Sequence, residues 1–305
     1  MKIIPLFALF FSFSFIEANA QYKHDSIKIE HGYLHYYTKG EGKPIVLMQG
    51  NTGASSYYMR AIADSLKNYR TILVDFQGTG RSKDRVEDAS WIGMDQIVGD
   101  YETVRKHLCI DQWTIIGHSY GGQHSLYYAV KFQGKVSKII NIGGITTDNL
   151  NMKYFYDNVH FNIPDADRQQ LVAIMKDSTV TQEQKYNANL VTHMKGWLYK
   201  KEALNQFLGY FSPEEMKILS NDKYQSIWRN RPDFFTFDFS KQTYQLNIPV
   251  RLIHGRQDPV GESVPVLLNE RMKDSKLAFI EHCGHFPWFE QPKDFFQKLK
   301  EFLRD

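Results

Sequence analysis

The chain has 305 residues, of which 42% are hydrophobic and 14% aromatic, enough for one large globular domain or for a domain with an insertion. Its 37 Lys and Arg residues nearly balance 34 Asp and Glu residues, and the charges are scattered along the chain. Because no basic run is available to line a nucleic-acid groove, nucleic acid is excluded as an expected partner.

The N-terminal segment has the pattern of a secretory signal peptide. Lys2 precedes an apolar run at residues 3–16, and Ala18-Asn19-Ala20 follows as a small-x-small cleavage site. The run is shorter than the ~20 apolar residues that a membrane-spanning helix requires. We therefore expect residues 1–20 to be removed and the mature protein to be exported, to the periplasm or the extracellular medium, without stable membrane insertion.

Cys109 and Cys283 are the two cysteines of the chain, and export would favour a disulfide between them. Cys109 precedes a predicted strand, whereas Cys283 follows one. In a parallel sheet these positions lie at opposite ends, beyond the ~7 Å that bridged Cα atoms allow. The sequence therefore predicts two free thiols.

The mature chain alternates short strands with helices. Residues 26–30 and 33–38 alternate polar and apolar side chains around His31-Gly32, which predicts an antiparallel edge hairpin. Continuous apolar runs predict six strands buried on both faces, at residues 45–48, 71–74, 113–116, 136–142, 250–253 and 277–280. Helical periodicity separates them, at residues 57–66, 91–108, 124–132, 264–272 and 295–303. This pattern predicts an α/β fold with a mostly parallel eight-stranded sheet and helices on both faces.

One segment interrupts the alternation. Residues 146–246 contain no strand run but have helical stretches and many aromatic residues. A structureless loop of that length would be unusual, so we predict a helical lid inserted between strands 6 and 7 of a core formed by residues 21–145 and 247–305. It would lie over the carboxyl ends of the strands, where ligands bind in such sheets.

The first chemical motif is Gly117-His118-Ser119-Tyr120-Gly121, placed between a predicted strand and a predicted helix. A serine hydroxyl becomes a useful nucleophile when a tight turn with small flanking residues presents it to a base and a substrate. A Gly-x-Ser-x-Gly pentapeptide also arises by chance, but the strand before it and the helix after it favour function. We predict that Ser119 is a catalytic nucleophile.

Two further loops supply the partners of such a serine. Asp258 follows the strand after the insertion, and His285 follows the last strand. Each alone reads as an ordinary loop residue, yet the order Ser, Asp, His, each after a parallel strand, predicts a catalytic triad with His285 as base and Asp258 as its orienting acid. Asp148 is the alternative acid, and the histidines that lack an orienting partner are interpreted as structural: His118, His254 and His282.

Acyl transfer also needs donors for the developing oxyanion. The backbone amides of Tyr120 and Asn51 are the predicted donors, the second from the Gly-rich residues 49–53. Residues 75–82 read Asp-Phe-Gln-Gly-Thr-Gly-Arg-Ser, and they lack the third glycine and the Lys-Ser/Thr ending of a nucleotide loop. That segment is predicted to be a structural turn.

With these motifs in place, the sequence resembles the α/β-hydrolase fold superfamily over nearly all of the mature chain, and looks most like its proline iminopeptidase branch. That branch usually has His-Gly-Gly-Pro-Gly at residues 49–53 and Arg at Gln77. The resemblance implies removal of N-terminal residues from peptides, with lid carboxylates holding the substrate amine. Candidates for that role are Glu183, Glu202, Glu214, Glu215, Asp222 and Asp233.

The sequence thus predicts an exported serine hydrolase that cleaves an ester or amide of a small molecule or short peptide through an acyl-enzyme, without a metal or organic cofactor. One alternative is a carboxylesterase or lipase-like hydrolase of small apolar esters, since an aromatic lid suits acyl chains as well as proline rings. Another is a ligand-binding protein on the same fold that has lost turnover. Carbon-carbon bond hydrolysis by the same triad is a further possibility.

Overall fold

The structure is a computed structural model, which describes residues 21–30, 32–50, 55–83, 93–145, 147–149, 152–209 and 236–305. The predicted signal segment at residues 1–20 and the predicted oxyanion residue Asn51 lie outside these ranges. No helix within these ranges is long and apolar enough to cross a membrane.

One eight-stranded sheet, in the order β1-β2-β4-β3-β5-β6-β7-β8, organises the molecule. The strands are β1 Lys23–Ile29, β2 Gly32–Lys39, β3 Lys43–Met48, β4 Tyr69–Asp75, β5 Trp113–His118, β6 Val136–Ile142, β7 Val250–Gly255 and β8 Ser275–Ile280. Strand β2 pairs antiparallel with both β1 and β4, and every other pairing is parallel. The predicted edge hairpin and the mostly parallel eight-stranded sheet are therefore confirmed.

Helices lie between the strands from β3 onward, and the last two follow β8. They are α1 Arg60–Ser65, α2 Met94–His107, α3 Tyr120–Lys131, α4 Met152–Asn162, α5 Asp165–Lys176, α6 Gln182–Trp197, α7 Ala203–Leu208, α8 Ser240–Thr243, α9 Ser263–Arg271, α10 Pro287–Glu290 and α11 Pro292–Arg304. Short 3₁₀ turns occupy Ser56–Met59 and Gly80–Lys83. Helices α4 to α8 follow β6 and precede β7, so the described part of the predicted insertion is helical; its boundaries at residues 146 and 246 stay a prediction.

The core lies on both faces of the sheet, because successive side chains of a strand point in opposite directions. In β3, Val46 and Met48 pack into one apolar cluster, whereas Ile45 and Leu47 pack into the other. Helix α11 covers the second face with buried residues at helical spacing, Phe295, Leu299 and Phe302. The free thiols follow the prediction, since Cys109 is exposed and Cys283 is buried without a disulfide.

The segment after β4 is the structural turn that the sequence predicted. The buried carboxylate of Asp75 accepts hydrogen bonds from the amides of Ser56 at 2.7 Å and Arg81 at 3.1 Å. It also accepts from the hydroxyls of Ser55 at 3.0 Å and Ser56 at 2.8 Å. These bonds tie the turn to the 3₁₀ helix after the loop at residues 49–53, so the carboxylate organises the backbone beside that loop.

Gln77, in the same turn, is hydrogen-bonded to the buried carboxylate of Asp100. Its amide and its side-chain nitrogen both donate to Asp100 at 2.7 Å, and Gln96 donates at 3.0 Å. Burial raises the pKa of Asp100 from 3.8 to about 6, although these bonds oppose the shift. Within the described residues, the hydrogen bonds to this carboxylate come from neutral N–H groups of Gln77 and Gln96, so burial dominates its pKa.

This carboxylate is expected to make stability fall with rising pH. The folded pKa of Asp100 lies above the unfolded one, so its contribution is present below pH ~4 and is lost as the pH rises through ~6. The free energy of unfolding of the wild type minus that of Asp100→Asn should decrease by about 2 kcal/mol between pH 4 and pH 7. Urea denaturation of both proteins at several pH values measures this difference. Asp157→Asn, at an exposed position of α4, is the control. A pH-independent difference contradicts the expectation.

Candidate active site

Ser119 lies at the junction of β5 and α3. The strand ends at His118 and the helix begins at Tyr120, so Ser119 occupies the connecting position with φ 57° and ψ −124°. A non-glycine residue with positive φ is strained, and such strain is typical of a turn that projects a nucleophile. Ser119 is partly exposed although β5 before it is almost wholly buried, so a ligand can reach it.

The glycines of the pentapeptide provide the space that this turn needs. A Cβ at Gly117 would lie 2.3 Å from the Gly121 carbonyl oxygen, and a Cβ at Gly121 would lie 1.9 Å from the Met48 carbonyl oxygen. Neither contact is possible for a larger residue. The strand, the turn and the helix therefore approach one another only because both positions are glycine, as the sequence predicted.

Asp258 and His285 form a buried pair at the same edge of the sheet. The Nδ1 atom of His285 lies 2.8 Å from Oδ2 and 3.0 Å from Oδ1 of Asp258. Because a carboxylate accepts hydrogen bonds, Nδ1 carries the proton and Nε2 is left with its lone pair. This tautomer is the one that a general base requires.

The carboxylate of Asp258 stays ionised in this pair. Burial raises the pKa of Asp258, but the charge of His285 and the hydrogen bonds from His285 and the Val260 amide, at 2.9 Å, outweigh it and bring the pKa below 3.8. The ionised carboxylate accepts the hydrogen bond that orients the imidazole, as the role predicted for Asp258 requires.

The end of β6 brings Ser119 and the Asp258–His285 pair together. The Ser119 amide donates to the Ile142 carbonyl at 3.0 Å. A Cβ at the next residue, Gly143, would lie 2.8 Å from Asp258 Oδ2 and 3.3 Å from His285 Nδ1. One short segment thus contacts all three predicted triad residues, whose catalytic roles stay predictions.

The alternative acid does not occupy this place. Asp148 forms an isolated antiparallel bridge with Asp238, beyond β6 and before α8. The carboxylate on His285 Nδ1 is that of Asp258. Of the two carboxylates that the sequence offered, Asp258 is the one hydrogen-bonded to His285, and its role as orienting acid stays a prediction.

The predicted oxyanion donors are described in part. Tyr120 is the first residue of α3, whose N-terminal amides carry the positive end of the helix dipole. Asn51 lies outside the described residues, but its neighbour Gly50 is close to the nucleophile. A Cβ at Gly50 would lie 2.8 Å from Ser119 Cβ and 3.3 Å from Ser119 Oγ. The loop that carries the second predicted donor therefore begins against Ser119.

Glu290 holds the loop of His285, and sequence reasoning missed it. Its buried carboxylate accepts from the amides on both sides of the base, Gly284 at 3.0 Å and Phe286 at 3.2 Å. It also accepts from the amides of Tyr199 at 2.7 Å and Lys200 at 3.0 Å, just after α6. Burial raises the pKa of Glu290 while these amides oppose the shift. The carboxylate therefore joins the base loop to the insertion.

The insertion also contacts the base directly. The His285 amide donates to the Trp197 carbonyl at 2.9 Å, and the ring of Trp197 lies 6.4 Å from the His285 ring. From α4, the Phe155 ring lies 6.0 Å from the same imidazole. The described insertion helices thus border the predicted catalytic residues, which is the position expected of a lid.

One wall beside Ser119 is apolar. Tyr120 and Phe155, both partly exposed, pack against a small cluster of buried aliphatic side chains. That cluster consists of Ile145, Met152, Val260 and Val264. An apolar wall with few polar groups is typical of a small-molecule pocket. The arrangement suits a substrate with an apolar group next to the bond that is cleaved.

Only two of the six candidate amine-binding carboxylates lie within the described residues. Glu183 lies in the first turn of α6 and Glu202 precedes α7, and both are exposed. The other four candidates lie outside the described residues: Glu214, Glu215, Asp222 and Asp233.

The fold and the arrangement of the site are those of an α/β hydrolase. The family model for the alpha/beta hydrolase fold matches residues 43–292. The chain therefore belongs to the α/β-hydrolase fold family, and it is a hydrolase by family.

Among curated proteins, the chain is similar to a proline iminopeptidase of Saccharolobus solfataricus, with 26% identity covering 91% of this chain and 93% of the relative. It is also similar to a 2-hydroxy-6-oxononadienedioate/2-hydroxy-6-oxononatrienedioate hydrolase of Burkholderia vietnamiensis, with 24% identity covering 89% and 91%. Among solved structures, an alpha/beta fold family hydrolase from Bacillus anthracis superposes with a TM-score of 0.68 at 21% identity, covering 92% of this chain and 99% of that one. The last similarity concerns the fold alone.

Proposed function

We propose that the protein is an exported serine hydrolase that cleaves an ester or amide through an acyl-enzyme on Ser119. One observation carries the proposal: a strained serine between a strand and a helix shares a sheet edge with a buried carboxylate–imidazole pair. Nucleophile, base and orienting acid are the three groups that acyl transfer by serine requires.

In the proposed reaction His285 Nε2 takes the proton of the Ser119 hydroxyl as Oγ attacks the substrate carbonyl carbon. The amides of Tyr120 and Asn51 stabilise the negative charge that develops on the carbonyl oxygen. The imidazolium then gives its proton to the leaving alcohol or amine. Water, deprotonated by the same nitrogen, attacks the acyl-enzyme, and Ser119 regains its proton as the acid is released.

For the substrate we propose a peptide or aminoacyl amide with a free N-terminus. The similarity to proteins named proline iminopeptidase supports this class, and the apolar wall beside Ser119 suits a proline ring. The second candidate, a carboxylesterase of small apolar esters, is favoured by the same wall, because an acyl chain makes equivalent contacts.

A matched pair of substrates separates the two. Mature protein should cleave prolyl p-nitroanilide with kcat/KM at least ~10-fold higher than for its N-acetylated form, because acetylation removes the charged amine that lid carboxylates would bind. Release of nitroaniline is measured in parallel with hydrolysis of p-nitrophenyl butyrate. Ester hydrolysis without cleavage of either anilide supports the carboxylesterase, and tight binding without any turnover supports a ligand-binding protein.

Export is proposed from the sequence of residues 1–20. Expression of the full chain in a bacterial host, followed by fractionation and N-terminal sequencing, tests it. Recovery outside the cytoplasm with Gln21 at the N-terminus supports export. A cytoplasmic protein that retains Met1 contradicts it.

A further inference from the structure

A buried row of hydrogen bonds runs behind the predicted triad. The Gly50 amide lies 2.9 Å from the Tyr58 hydroxyl, and that hydroxyl lies 2.8 Å from His118 Nδ1. On the other side of the ring, His118 Nε2 lies 3.0 Å from the His285 carbonyl oxygen. Tyr58 and His118 are each at most 2% exposed. The row therefore connects the loop of Gly50, the turn of Ser119 and the loop of His285.

The chemistry of the two ends defines the direction of every bond. Gly50 N–H is a donor and the His285 carbonyl is an acceptor, so His118 Nε2 carries a proton and donates. Neutral His118 then accepts at Nδ1, and the Tyr58 hydroxyl donates to it while accepting from Gly50. Burial and the nearby charge of His285 keep the pKa of His118 well below 6.5. A single tautomer of a neutral imidazole thus satisfies all the groups.

We propose that Tyr58 and His118 are positioning residues that hold the predicted oxyanion loop and the general base at a fixed separation. This inference rests on the proposed function, because it assigns the row a task in acyl transfer. The nucleophile and the oxyanion donors must meet the substrate within a fraction of an ångström. The row spans the part of the site that needs that precision.

Each end of the row is bonded to a main-chain group, the Gly50 amide at one end and the His285 carbonyl at the other. A Cβ at Gly50 would lie 2.8 Å from Ser119 Cβ, so a shift of this loop moves the surroundings of the nucleophile. The His285 peptide is held by His118 at its carbonyl and by Trp197 at its amide. Loss of the carbonyl contact removes one of the hydrogen bonds that hold the main chain at the base, beside those of Trp197 and Glu290.

Two substitutions break the row: Tyr58→Phe removes both bonds of the hydroxyl, to Gly50 and to His118, whereas His118→Gln removes only the bond to Tyr58. Tyr58→Phe removes the hydroxyl and keeps the ring, which lies 6.2 Å from Trp288. His118→Gln keeps a side-chain N–H near the Nε2 position and removes the acceptor at Nδ1. Each should lower kcat on the order of 10- to 100-fold with KM within about twofold, because geometry in the transition state suffers more than substrate binding.

The double variant tests whether the two residues act through one row. If they do, Tyr58→Phe combined with His118→Gln should lower kcat no further than Tyr58→Phe alone, because that change already removes the bond between the two residues. Tyr57→Phe removes the hydroxyl of a partly exposed tyrosine one residue away and should leave kcat and KM unchanged. Additive losses in the double variant contradict the proposal, as does an equal loss in the control.

Labelling by a fluorophosphonate separates failure of this inference from failure of the proposed function. If wild type is labelled and Tyr58→Phe is labelled at the same rate, the positioning role is refuted, whereas an unlabelled wild type refutes the serine hydrolase itself. Nitrogen-15 NMR of His118 gives a readout without activity. A protonated Nε2 and an unprotonated Nδ1 are expected, and the opposite tautomer or an imidazolium contradicts the row.

Discussion

Replacement of Ser119 by alanine is expected to abolish turnover while the fold is retained. The hydroxyl is the only part of the side chain that forms the proposed acyl bond, and alanine accepts the backbone angles of Ser119 about as well as serine does. The loss in kcat should be about 10⁶-fold, with the midpoint of thermal unfolding within a few degrees of wild type. Kinetics on the substrate that wild type prefers and circular dichroism measure the two quantities.

A fluorophosphonate probe gives the same expectation a covalent readout. Wild type should acquire one adduct by intact mass, and Ser119→Ala none. The matched control is Ser125→Ala in the helix that follows Ser119, where the hydroxyl is buried and donates to the Gly122 carbonyl at 2.6 Å. It should be labelled as wild type is. If Ser119→Ala is labelled as strongly as wild type, Ser119 is not the nucleophile.

Asp258→Asn is expected to lower kcat about 10⁴-fold. Asparagine presents an N–H toward His285 Nδ1, which favours the tautomer that carries its proton on Nε2, and that nitrogen then has no lone pair to accept the serine proton. Shape and volume are nearly unchanged, so KM should move little. Steady-state kinetics and nitrogen-15 NMR of His285 measure the rate and the tautomer.

Asp148→Asn is the matched control, since Asp148 follows the neighbouring strand and was the alternative acid. Its main chain forms the bridge with Asp238, and the carboxylate hydrogen-bonded to His285 Nδ1 is that of Asp258, so the rate should stay within about twofold of wild type. A larger loss for Asp148→Asn than for Asp258→Asn would reverse the assignment of the orienting acid.

The arrangement of the predicted triad was accessible from sequence because it depends on strand ends. Ser119, Asp258 and His285 each follow an apolar run, and parallel strands place their carboxyl ends at one edge of a sheet. Alternation of apolar runs with helical periods was enough to predict that edge. The same reasoning left two acids open, since Asp148 and Asp258 both follow neighbouring strands, and only the hydrogen bond to His285 distinguishes them.

Glu290 shows what local pattern misses. In the sequence it is an ordinary carboxylate between two prolines, Pro287 and Pro292, with no pattern around it that indicates a partner. Its four acceptor contacts go to main-chain amides of two loops, one after α6 and one after β8. The side chains of the residues that donate these amides do not reveal the interaction, because every residue except proline has the same backbone N–H.

His118 is a similar case at closer range. The sequence placed it in the pentapeptide but supplied no partner, because Tyr58 and His285 lie far from it along the chain. Gln77 lies between these cases. The sequence shows that glutamine stands where the resemblance implies arginine. Only the packing of α2 against the turn shows that this glutamine is hydrogen-bonded to the buried carboxylate of Asp100.

The sequence by itself determined the order of strands and helices, the strand-end positions of Ser119, Asp258 and His285, and the glycine spacing of the turn, because periodicity and small residues act locally. The tertiary structure decided which acid meets the base, which groups hold the base loop, and which side chains border the nucleophile. Those choices arise from contacts between segments distant in the chain, often through backbone atoms, and such contacts are set by packing geometry instead of residue identity.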